Sequence, residues 1–234
     1  MTSDRLDSER FAKVVAARRE EHGDPARAVC LACVDVLDVA GAGLVLMSGG
    51  RSLDFIGVSD RVSDAVEQME YTLGEGPCVS AYRTQVPVFD ADLADEGTAR
   101  WPEFRRGALA AGIQAAFGFP LLIQRVCIGA LNVYHDRPGA LSDGQVADAL
   151  VVAQFASRAV LEWQADAPPG TGAWQLEQAP NRGVEVHQAT GRVSVQAGVS
   201  LDDALVLLRA YAFSHDRPIA DVAAEVARGH LRLG

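Results

Sequence analysis

No stretch of this chain is apolar for long enough to cross a bilayer. Its longest apolar run, around residues 147–155, is interrupted by Asp148 and Gln154 and falls well short of the ~20 residues a spanning helix needs. The opening MTSDRLDSER lacks the apolar region of a secretory signal, so the protein is expected in the cytoplasm, with no membrane partner. Cysteine is scarce, at four in 234 residues, and without an export signal these read as reduced thiols rather than a disulfide framework. Positive charge is scarce too: 21 Lys and Arg face 31 Asp and Glu, for a net charge of −10. Several chemical signatures are missing. Gly-Ala-Gly near residue 42 and Gly-Glu-Gly at 74 lack the lysine or the strand-to-helix context of a phosphate loop, and no kinase histidine box, nucleophile elbow or metal-ligand cluster is visible. An enzyme is not expected.

A hydrophobic content of 49% with 22% charge excludes a disordered chain and gives material for one large or two small domains. Residues 8–21 read as an amphipathic helix around Phe11, Val14 and Val15, and residues 25–38 as a second. The period then changes. Leu44 to Met47 and Leu53 to Val58 read as a β-hairpin, and residues 60–71 return to helix with Val62, Val66 and Met69 as the buried stripe. Leu73-Gly74-Glu75-Gly76-Pro77-Cys78 opens a short helix through Tyr82. A strand with Val86, Val88 and Phe89 follows, then the acidic loop 90–97, a helix from Trp101 to Ala111, and strands at 115–122 and 127–134 joined near Gln124-Arg125. Residues 142–163 form one long helix with Ser142 and Gln145 spaced as a capping box. Its Val146, Ala149, Ala153, Ala156, Val160 and Trp163 recur every three or four residues, which fits a two-helix seam; a second side, Leu150, Val152, Phe155 and Ala159, is left for the sheet, and a homodimer is expected. Gln164 to Gly172 is a flexible linker by composition.

This order, with the Gly-Glu-Gly-Pro-Cys step and the closing hairpin Phe117-Gly118-Phe119-Pro120-Leu121 to Gly129-Ala130-Leu131-Asn132-Val133-Tyr134, resembles a GAF domain over about residues 25–163. The resemblance implies a sensory role for a small-molecule effector or a redox state, with Glu75, Cys78, Phe117 and Tyr134 as candidate ligand-sensing residues. It leaves the cofactor unknown. No cyclic-nucleotide signature is present, and His135 beside Asp136 at a strand end is a poor haem ligand.

Beyond the linker, residues 184–231 read as three short helices. Gly198 closes the first, Ser200 with Asp203 caps the second, and Asp216-Arg217-Pro218 starts the third with proline at the first helical position. Their apolar stripes are Val186, Ala189 and Val193; Leu201, Leu205, Leu208 and Ala212; Ile219, Val222, Ala223 and Val226. A unit this small must share its core with a neighbour or stay marginal. Ala189-Thr190-Gly191, Leu208-Arg209-Ala210-Tyr211-Ala212 and Arg217-Pro218-Ile219 with Val222-Ala223 resemble an ANTAR domain, the RNA-binding output module of bacterial antiterminators. The resemblance implies contacts to RNA stem-loops through Ala189, Thr190, Gly191, Arg192, Arg209, Tyr211, Ala212 and Arg217. Thr190 stands where many members carry lysine, and Arg192 is the nearest cation. The receiver domain that precedes this module in other members is missing. Charge offers no support, because residues 175–234 hold six arginines against seven acids.

The expectation is therefore an α+β protein: an antiparallel GAF sheet flanked by helices over residues 1–163, a linker at 164–173, and a three-helix domain at 174–234. Alternatives stay open at each residue. Cys30 and Cys33 form a Cys-x-x-Cys on a helix without a second pair, which fits two packed thiols better than zinc. Cys78 at a helix start is either a packed thiol or a reactive thiolate, the latter as the nucleophile of a GAF-type free methionine sulfoxide reductase with Cys127 as resolving partner. Glu75 meets a ligand or caps a helix; Tyr211 stacks on a base or packs among the helices. The third alternative is a protein-interaction module without RNA.

Overall fold

A computed structural model describes residues 6–48, 52–95, 97, 100–165, 182–215 and 217–233. The elements run α1 (Ser8–His22), α2 (Pro25–Leu37), β1 (Gly41–Ser48), β2 (Ser52–Val58), α3 (Arg61–Leu73), α4 (Pro77–Thr84), β3 (Val88–Asp90), α5 (Pro102–Ala110), β4 (Ala115–Ile123), β5 (Val126–His135), α6 (Asp143–Ala165), α7 (Arg182–Ala197), α8 (Leu201–Ser214) and α9 (Ile219–Arg228). The strands make one antiparallel sheet in the order β2-β1-β5-β4-β3.

Local chemistry explains most boundaries. Asp7, Asp24 and Asp60 cap α1, α2 and α3 by accepting backbone N–H groups of their first turns. Gly74 ends α3 in the left-handed region at φ 68°. Ser142 and Gln145 exchange the expected capping-box bonds, whereas Ser200 Oγ accepts from Asp203 N–H and donates to the Asp203 carboxylate. Pro218 sits one position earlier than expected, as the N-cap of α9. The linker composition read at residues 164–172 falls mostly outside the described residues, because α6 continues to Ala165.

Strand alternation divides the sheet into two faces. One presents Ala42, Leu44, Leu46, Phe117, Phe119, Leu121, Leu131 and Val133 to α1, α2 and α6, forming the largest core. Phe11 of α1 meets Phe155 of α6 edge-on at 5.1 Å. Of the seam residues of α6, Ala149, Ala153, Ala156 and Val160 are buried in this core and Val146 and Trp163 pack partly against it, so the stripe is largely covered within the chain. The other face is covered by α3, α4, α5 and the C-terminal helices. There Val45, Met47, Tyr71, Cys78, Val79 and Ala130 share one core with Val186, Ala189, Val193, Leu205, Leu208, Ala212, Ile219 and Val222. The three-helix unit thus shares its core with the sheet, as its size requires. Leu201, expected in that stripe, is 46% exposed at the first turn of α8.

Candidate functional site

The face of the sheet beneath α3 carries a buried polar group that the sequence reading did not assemble. Residues 63, 66, 67, 70 and 71 of α3 point inward at helical spacing, and two of them are glutamates. Glu67 and Glu70 are 1% and 0% exposed, Asn132 and Tyr134 on β5 0%, and Cys78 at the start of α4 1%. Asn132 Nδ2 donates to Glu67 Oε1 and Oε2 at 2.9 and 3.1 Å and to Glu70 Oε2 at 2.6 Å. Tyr134 Oη donates to Glu67 Oε1 at 2.8 Å, and Cys78 N–H donates to Glu70 Oε1 at 3.2 Å. Val62, expected in the buried stripe, is 44% exposed instead.

Glycine makes the room for this group. A Cβ on Gly43 would lie 1.9 Å from Glu67 Oε1, and one on Gly76 1.9 Å from Glu70 Oε1. Gly76 also has φ 136°, which side chains rarely adopt. Burial pushes both carboxyls above the usual carboxylate range; the charge of Glu67 raises Glu70 further, and the bonds from Asn132 and Tyr134 only partly oppose this for Glu67. Burial, then the charges of Glu70 and Glu67, push the Cys78 thiol up as well. Burial beside two carboxyl groups favours the packed-thiol reading of Cys78 over the reactive thiolate.

The remaining predicted sensing residues separate. Tyr134 belongs to the cluster. Phe117 is buried but points to the opposite face of the sheet, towards α1, α2 and α6. Glu75 Oε1 accepts from Glu103 N–H and Phe104 N–H, both at 3.0 Å, so it caps α5 from 28 residues upstream. Cys30 and Cys33 are fully buried in α2, and burial pushes the Cys33 thiol up to about 12.

The C-terminal motif residues are engaged within the chain. Ala189 and Ala212 are core, and Thr190 is buried with its hydroxyl donating to Val186 O at 2.7 Å. Gly191 faces open space, and Tyr211 stacks on His215 at 3.9 Å. Arg192 Nη1 donates to Val226 O at 3.0 Å and to Ala227 O, closing the end of α9. Arg217 forms a forked pair with Glu225 at 2.9 and 3.2 Å. Arg209 crosses to the sensor, where its Nε donates to the carbonyl of Tyr71 at 3.2 Å and its guanidinium lies over Gly74. A Cβ on Gly74 would come within 2.5 Å of Arg209 Nη1. Ile219 N–H reaches Thr72 Oγ1 at 3.5 Å beside it.

The C-terminal end of α3 thus touches the C-terminal helices while its inner face holds the polar cluster. A cleft of about 530 Å³ runs along the same seam, lined by Gln68, Met69, Thr72, Arg106, Phe213 and Arg217 among others. Arg106 pairs with Glu103 and Arg217 with Glu225 there, so each arginine of the cleft has a carboxylate partner.

The GAF domain family profile matches residues 24–160, and the chain belongs to that family. The matched part ends within α6, and no family profile matches the C-terminal helices. Among solved structures, the chain is similar to the GAF domain of an Acinetobacter phosphoenolpyruvate-protein phosphotransferase, at 15% identity, TM-score 0.52, covering 72% of this chain and 99% of that one. It is also similar to the GAF domain of a phosphoenolpyruvate-protein phosphotransferase from Coxiella burnetii, at 12% identity, TM-score 0.50, covering 68% and 98%. Identities this low carry the fold alone. No curated protein sequence matches the chain.

Proposed function

We propose that this is a signal-responsive RNA-binding regulator: the GAF domain is the input, and α7, α8 and α9 are an output that binds hairpin loops in nascent RNA and causes antitermination. The RNA target rests on the resemblance of residues 189–191, 208–212 and 217–223 to ANTAR sequences. The observation that carries the regulation is Arg209, a motif residue withdrawn onto the Tyr71 carbonyl of the sensor. Docked this way, the output is in its non-binding arrangement. A ligand that prefers a different setting of α3 releases Arg209 by its differential affinity for the two arrangements. A second reading, a protein-binding output, is favoured by Val195, Val206 and Phe213, which are 85%, 60% and 48% exposed on α7 and α8.

Gel shifts with a two-hairpin RNA and a scrambled control separate the two. Gly74→Asn tolerates the left-handed backbone yet displaces the guanidinium, freeing Arg209 with the arginine intact. It is expected to bind RNA at least about tenfold tighter than wild type, the equivalent of ~1.4 kcal/mol. Arg209→Ala is expected to lose the specific complex. No RNA binding above the scrambled control in any variant would sink the RNA reading and favour the protein-binding one.

A further inference from the structure

We infer that Glu67, Glu70 and Cys78, completed by the amide oxygen of Asn132, form a binding site for a divalent first-row transition ion of the Zn²⁺ or Fe²⁺ type. One donor atom from each of the first three lies within 4.8 Å of the others. Tetrahedral bonds of about 2.0–2.3 Å require donor separations of about 3.3–3.8 Å, so closure by roughly an ångström completes the set. A thiol among carboxylates selects these ions over Mg²⁺ or Ca²⁺, which take oxygen alone.

One observation independent of the acidic pair points to a ligand. Asn132 is fully buried with its head group among the carboxylates, and its Oδ1 has no hydrogen-bond partner. Its Nδ2 faces the carboxylates, and a half-turn of the amide exchanges those three bonds for an oxygen directed at the ion. The hydrogen-bond partners given to Glu67 and Glu70 are all neutral, the Asn132 amide, the Tyr134 hydroxyl and the Cys78 N–H, so no side-chain cation among the described residues occupies the place of the ion. Binding of a dication there sends the thiol proton, and any carboxyl proton, to solvent. Tyr134 Oη on Glu67 and the Cys78 N–H on Glu70 orient the ligating carboxylates from behind.

The site names a ligand class for the sensory domain proposed above, and rests on that reading only in treating the ion as a signal. Cys78 lies in the core shared with the output helices and Glu70 one residue before Tyr71, so drawing the donors together pulls on the end of α3 that holds Arg209.

The test is a Co²⁺ titration of the full chain after chelation, read by the thiolate-to-cobalt charge-transfer absorption. Wild type is expected to take one ion per chain with that band, to keep it in excess Mg²⁺, and to exchange it for Zn²⁺. Cys78→Ser should abolish the band, while Cys30→Ser and Cys33→Ser keep it. Should Cys78→Ser lose the native circular dichroism, Glu70→Gln carries the test, because its amide oxygen still accepts the Cys78 N–H. A loss of about 10–100-fold in affinity supports the site, and unchanged affinity overturns it. A band absent from wild type, or surviving in Cys78→Ser, overturns it too. RNA plays no part in this titration, so the site and the RNA output fail separately.

Discussion

Arg209→Ala is expected to loosen the docking of the C-terminal helices by about 1–2 kcal/mol. The side chain gives one charge-assisted bond to the Tyr71 carbonyl at 3.2 Å, and such bonds contribute about 1.5–3 kcal/mol. Two terms oppose it. Burial disfavours the guanidinium, as its lowered pKa records, and the nearby Arg83 repels it. The bond outweighs them, but the net falls below the full figure. A shift of that size raises the open fraction about 5–30-fold. Native-state hydrogen exchange reads it at amides of α8 and of the α3 end, which should exchange faster by that factor while α2 and β4 are unchanged. Unchanged exchange at both ends of the contact would refute the latch.

Three further perturbations test the packing. Asp60→Ala should cost about 1 kcal/mol by removing the α3 cap, measured by urea unfolding. Burial pushes the Asp60 carboxyl up, but bonds from Ser63, Ser59 and Val62 outweigh it and hold its pKa below the ordinary value; this stabilisation is present above the unfolded pKa and is lost as pH falls through the folded one, so the gap between wild type and variant should close in acid. Gly118→Ala puts a Cβ 2.5 Å from the rigid Pro77 carbonyl and should cost about 1–3 kcal/mol, whereas Gly107→Ala meets only the flexible Met69 side chain and should leave the melting temperature closer to wild type. Arg105→Ala removes the nearest partner of buried Asp90, at 2.6 Å, and leaves it Arg100 at 3.8 Å, so the cost should fall at or below the lower end of the about 3–5 kcal/mol of a broken buried pair; a loss under about 1 kcal/mol in a melt would contradict the pairing.

The architecture was legible because its signals are local. Near-continuous apolar runs in β4 and β5, aspartate and serine caps, and the Gly-Glu-Gly-Pro-Cys step each fix a boundary without distant contacts. The GAF assignment over residues 24–160 follows from them. The polar cluster was not legible, because a periodicity scan counts Glu67 and Glu70 as solvent-facing and so turned α3 towards Val62. A trace did exist: Ser63, Val66, Glu67, Glu70 and Tyr71 share one helical face, but only the fold sets Asn132 and Tyr134 opposite it. Phe117 falls on the face opposite Tyr134 because it pairs with Val133, a parity that must be read against the partner strand β5. Glu75 caps a helix 28 residues away, a contact no local pattern reveals. Arg209 matched a motif, and its hold on Tyr71 came from packing between elements 138 residues apart in sequence.

The account depends most on the output helices sharing a core with the sensor sheet. All four cysteines are buried, so spin labels can be placed selectively on Val126→Cys in β5 and Val206→Cys in α8, which are 63% and 60% exposed. Pulsed dipolar spectroscopy on the full chain should give one narrow distance in wild type and a broadened distribution in Gly74→Asn. A broad distribution in wild type, matching a freely tethered unit, would contradict it.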